Sequence, residues 1–78
     1  MNNELLKKEL NGIGFTESDI KDVMYLIDKN NDSESRLSAL KTWLDTNKKE
    51  SLASKGIGTQ DFALTLYNFS LTENPTES

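Results

Sequence analysis

Cysteine and histidine are both absent from this 78-residue chain. Without them there is no disulfide framework and no zinc staple of the usual kind. The commonest general base and the strongest neutral-pH nucleophile are missing too. A serine or threonine nucleophile would need a lysine or carboxylate base, and no Gly-x-Ser-x-Gly elbow occurs. The expectation is a protein that is not an enzyme and holds no cofactor and no metal. Aromatic residues are few: one Trp, two Tyr and three Phe. A chain this short buries only about 60% of its unfolded surface, so its core must be thin. No apolar run approaches the roughly 18 residues of a membrane span, and Met1 to Glu9 lacks a basic-then-apolar leader pattern. The expected location is therefore cytoplasmic, with no membrane partner, and the lack of cysteine fits a reducing compartment.

What charge there is lies unevenly. Of the net −4, the segment from Glu17 to Glu34 supplies all: Glu17, Asp19, Asp22, Asp28, Asp32 and Glu34 stand against Lys21 and Lys29. The remaining residues balance, seven acids against seven bases. Such a segment repels a phosphate backbone and favours a basic partner, so nucleic acid is not expected and a protein is.

Two Gly-Ile-Gly tripeptides, Gly12-Ile13-Gly14 and Gly56-Ile57-Gly58, punctuate the sequence. Each reads as a sharp corner between packed helices, with glycine permitting positive φ and isoleucine turned inward. A first helix is expected over about 3–11, with Leu5, Leu6 and Leu10 apolar. A second follows over 16–30, with Thr16 as N-cap, Asp19 closing a capping box and Phe15 stapled to Ile20. Its Ile20, Val23, Met24 and Ile27 form a stripe that Tyr25 and Leu26 widen. Asn30 and Asn31 should close it in the left-handed conformation, and Asp32 or Ser33 should cap a third helix over 33–47, carrying Leu37, Leu40, Trp43 and Leu44. Residues 48–55 read as a linker. A fourth helix is expected over 59–70 with Thr59 as N-cap, and 72–78 reads as a disordered tail broken at Pro75. The fold class is all-α: one domain over 3–71, three helices with a fourth C-terminal helix packed across them.

Three motif patterns bear on function. Asp28, Asn30, Asp32 and Glu34 occupy the first, third, fifth and seventh positions of an EF-hand-like loop, but Ser33 replaces the turn glycine and Ala39 the bidentate glutamate. The pattern resembles a degenerate EF-hand and predicts no metal. Leu10 to Gly14 resembles the hairpin of a helix-hairpin-helix domain, yet Glu17, Asp19 and Asp22 follow where a phosphate would sit. The stretch from Leu6 to Leu44, with its Gly14-Phe15 loop, Asn30-Asn31-Asp32 turn and third helix ending at Trp43-Leu44, resembles a ubiquitin-associated (UBA) domain. That resemblance implies a three-helix fold and a partner surface at Ile13, Gly14 and Phe15 with Trp43 and Leu44.

Together these features predict a protein-binding module. Its apolar Gly-Phe loop would anchor the partner, while Asp19 and Asp22 would steer a basic one. The alternative expectation is a small acidic inhibitor or immunity-type protein that blocks the basic site of an enzyme or nucleic-acid-binding factor. A thin core also makes a homodimer an expectation to test.

Overall fold

The computed structural model describes residues 3–72, and all regular structure among them is helical. Helix α1 spans Asn3–Gly12, α2 Glu17–Lys29, α3 Ser33–Asn47, α4 Lys49–Ala53 and α5 Thr59–Thr72. The fold is a small all-α bundle, as expected, with one helix more than the periodicity suggested. α3 is the central element: α2 and α5 both pack on it, and α1 leans on α2. The tail expected from 72 onward begins with Thr72 inside α5, and 73–78 lie outside the described residues.

The core draws on every helix. Leu6 and Leu10 from α1, Ile20, Val23 and Ile27 from α2, Leu40 and Leu44 from α3, Leu52 from α4, and Ala63 and Leu66 from α5 are buried around Phe15. On α2 the three buried residues recur at three and four positions, the spacing of one helical face. The start of α2 follows its sequence signature. The Thr16 hydroxyl accepts from the Asp19 N–H at 3.1 Å, and the Thr16 N–H donates to Asp19 Oδ2 at 3.0 Å. Its end differs from expectation. Among the described residues, none other than glycine has positive φ. Asn30 is extended instead, and both its backbone N–H (3.2 Å) and its side-chain amide (2.8 Å) donate to the Leu26 carbonyl, closing the helix without the strained backbone. Asp32 caps α3, accepting from the Ser35 N–H at 2.8 Å.

The two glycine tripeptides do not play equivalent parts. α1 ends in a Schellman motif: Phe15 N–H donates to Leu10 O (3.0 Å), Gly14 N–H to Asn11 O (3.1 Å), and Gly14 has φ +101°. α4 ends in the same motif, with Ile57 N–H on Leu52 O (2.9 Å), Gly56 N–H on Ala53 O (2.9 Å), and Gly56 at φ +78°. The counterpart of Gly14 is therefore Gly56, the first glycine of the second tripeptide. Gly12 is merely the last residue of α1. Gly58 precedes α5, accepting from the Phe62 N–H at 3.0 Å. Thr59, expected as N-cap, is the first helical residue, and its hydroxyl bonds the Asp45 carboxylate of α3 instead.

This asymmetry sets the sign of a substitution. A Cβ added at Gly12, Gly14 or Gly56 meets nothing within 4 Å, so backbone conformation alone decides. Gly14→Ala and Gly56→Ala should each cost about 1–2 kcal/mol, the penalty for an L-residue at positive φ. Gly12→Ala should add about 0.5–1 kcal/mol by stiffening the unfolded chain and favouring the helix. Urea unfolding of the three variants checks this, and a shared sign for Gly12→Ala and Gly14→Ala would contradict it.

Candidate protein-binding surface

Six of the seven residues expected at a partner surface come together around one cluster, with Phe15 and Leu44 buried in it, Ile13, Asp19 and Trp43 partly buried and Asp22 exposed. Phe15 is 3% exposed and Leu44 0%. The Phe15 ring sits 6.0 Å from the Trp43 ring and 5.9 Å from that of Phe62, both tilted, so α1's exit loop is wedged between α3 and α5. Trp43 and Ile13 are partly buried against the same cluster. Trp43 Nε1–H donates to Asp22 Oδ2 at 3.3 Å, which fixes the indole against α2. The seventh residue, Gly14, is exposed. Phe15 and Leu44 are thus corrected from contact residues to packing residues. With so few large side chains available, the core claims them first.

Lys48 closes the cluster. As the single residue joining α3 to α4, it is both the C-cap of one and the N-cap of the other. Its ammonium pairs with Asp19 at 2.5 Å and lies 5.0 Å from the centre of the Phe15 ring. Burial alone would raise the Asp19 carboxyl. Hydrogen bonds from Lys48 and from the backbone and hydroxyl of Thr16 outweigh it and hold Asp19 below 3.8. Asp32 is likewise lowered, by its bonds from Ser35, as the α3 cap. Three of the six acids in the negative segment therefore have internal duties: Asp19, Asp22 and Asp32. Counting Lys48, the field of that segment falls to six acids against three bases. The EF-hand-like oxygens are dispersed in the same way, and among the described residues no group of three or more potential metal ligands converges.

Ser18 and Lys21, Ser38 and Lys41, and Thr46 and Lys49 have the serine-x-x-lysine spacing of a nucleophile with a lysine base. All three hydroxyl residues are exposed, and Lys41 is engaged with Asp45 at 2.9 Å. Ser38 and Thr46 line a shallow open groove with Leu26 and Trp43 between α2 and α3.

An accessible apolar site exists elsewhere. α1 and α2 diverge enough to leave a groove floored by Leu5, Ile20 and Met24 and walled by Tyr25. Tyr25 is 59% exposed and Leu5 42%. Lys7, Lys8 and Lys21 edge the groove against Glu4 and Glu17, so this face is locally positive on a negative protein. Lys29 leans over the Tyr25 ring at 5.5 Å and extends the positive rim. The sequence held a signal for this site. Leu5 and Leu6 are adjacent and point about 100° apart on a helix, so a face that buries Leu6 and Leu10 leaves Leu5 at its edge. The α2 stripe, widened by Tyr25, is likewise broader than one neighbouring helix can cover.

The chain matches no protein-family model, no curated protein and no solved structure. Among the described residues, no helix is long and apolar enough to cross a membrane.

Proposed function

We propose that this protein is a binding module that acts without catalysis, and that it docks a protein partner in the α1–α2 groove. The observation that carries the reading is the exposed Tyr25 beside Leu5 and Met24, an aromatic anchor on an adaptable apolar floor. A short amphipathic segment with apolar anchors and acidic flanks suits the groove, since Lys7, Lys8, Lys21 and Lys29 would meet those flanks. A second reading, the acidic inhibitor, draws on other charges: Asp28 and Glu34, exposed outside the groove lining, and Glu17 on the groove's rim, are available to a basic site.

The two readings separate in one experiment. Wild-type protein, Tyr25→Ser and a Glu17→Gln, Asp28→Asn, Glu34→Gln triple variant are used side by side to capture proteins from an extract of the source organism. The groove reading expects a protein whose capture weakens about tenfold or more with Tyr25→Ser, the size of one lost hot spot, and persists in the triple variant. Capture lost only in the triple variant, and falling as salt rises, would assign the acidic inhibitor instead. No protein distinguishing wild type from either variant would remove both readings.

A further inference from the structure

We propose that the outer face of α5 is a self-association surface, on which two copies of the chain pair antiparallel about a twofold axis passing between Tyr67 and Asn68. This inference is independent of the α1–α2 groove, which lies on other helices.

Two observations carry it. The first is charge. Asp61 is the one charged residue among the fourteen of α5, whereas α2 carries six in thirteen and α1 four in ten. Charged residues are depleted where protein surfaces become interface cores. The second is apolar exposure. Leu64 is 48% exposed and Leu71 51%, and seven residues separate them, so they lie almost in line along the helix. Gln60 and Asn68, both exposed, fall in the same stripe, and the partly buried Tyr67 borders it.

The charge pattern selects a second copy as the occupant. The chain carries −4, so two copies repel wherever their acidic faces meet. α5 is the helix on which they can approach without opposing like charges. A foreign partner attracted by the net charge would be steered to the acidic helix α2, not to this uncharged strip. The stripe is also self-complementary, as a twofold interface requires. An axis between Tyr67 and Asn68 sets Leu64 of one copy against Leu71 of the other, twice. It brings the two Asn68 amides together, and each amide carries both donors and an acceptor. The antiparallel sense follows from Asp61, which the axis keeps about 20 Å from its own counterpart at 1.5 Å per residue, beyond the screening length of about 8 Å. A parallel pair would set those two carboxylates face to face. One helix face is far smaller than the 20–30 residues per side of a standard interface, so the dimer is a weak one, populated at high protein concentration.

The test uses the intact chain. Sedimentation equilibrium across about 10 μM to 1 mM should show the mass rising from 8.8 kDa toward twice that value. The Leu64→Lys, Leu71→Lys double variant should keep its helical circular dichroism and weaken association by about tenfold or more, since both leucines are already half-exposed in the monomer. Because the chain has no cysteine, Asn68→Cys creates a single reporting thiol. Mild oxidation at high concentration should link its dimers much faster than those of Ser18→Cys, on the exposed face of α2. A chain that stays monomeric to 1 mM overturns the proposal. So does association insensitive to the double lysine variant, or equal linkage rates for the two cysteine variants.

Discussion

Phe15→Ala is expected to remove about 3–5 kcal/mol of folding stability, the cost of deleting a buried phenylalanine ring. A 78-residue domain has about 4–12 kcal/mol in all, so the variant sits at or near global unfolding. The reason lies in what the ring joins. Phe15 follows the Schellman turn of α1, directly precedes the Thr16 cap of α2, and contacts Trp43 of α3 and Phe62 of α5. Removing it leaves a cavity where four elements meet and strips the apolar base from under the Lys48 ammonium. Phe15→Leu, which keeps most of the volume, should recover more than half of the loss. Urea unfolding followed by circular dichroism decides the matter: a loss below about 1 kcal/mol for Phe15→Ala would place the ring on the surface after all. The same logic makes Phe15 unsuitable as a probe of partner binding, whereas Tyr25 can change without disturbing the core.

The helices were legible where local chemistry decides them. Thr16 and Asp19 form a capping box from adjacent atoms, and Asp32 needs only the Ser35 N–H three residues on. The stripe of Ile20, Val23 and Ile27 is a period that any packed neighbour would use. What could not be read was competition between residues for the same space. Nothing local to Phe15, Trp43 or Asp22 tells that the three close on one another across three elements. The acidic segment looked like a single steering field because sequence counts charges without showing that Lys48, nineteen or more residues past most of them, neutralises one. The repeated tripeptide misled for a similar reason. Two glycines at the same spacing present identical letters, and only the hydrogen bonds to Leu10 and Leu52 reveal that different glycines carry the turn. Tyr25 was legible only as the excess of an apolar stripe, and whether such excess is buried depends on how far α1 reaches along α2.

Leu52→Ala is expected to cost about 2–5 kcal/mol although residues 48–55 read as a linker. The segment Lys49–Ala53 is too short for its helical period to stand out, and a helix of five residues is unstable alone. It forms because its neighbours complete it. Lys48 hands the α3 ladder directly to α4: its N–H donates to Leu44 O at 2.7 Å and its carbonyl accepts from the Leu52 N–H at 2.9 Å. The Leu52 carbonyl then accepts from both Lys55 and Ile57 at 2.9 Å, so its backbone also anchors the turn into α5. Its side chain is 1% exposed, in the same cluster as Leu44 and Leu66. Truncation to alanine keeps these backbone bonds and removes the packing that holds α4 against the bundle, so the loss reports tertiary burial rather than helix propensity. Lys49→Ala and Ser51→Ala, on exposed positions of the same helix, should each stay within about 0.5 kcal/mol of wild type. In a true linker all three substitutions would be equally mild. A Leu52→Ala urea midpoint indistinguishable from those of the two surface variants would therefore return residues 48–55 to a linker.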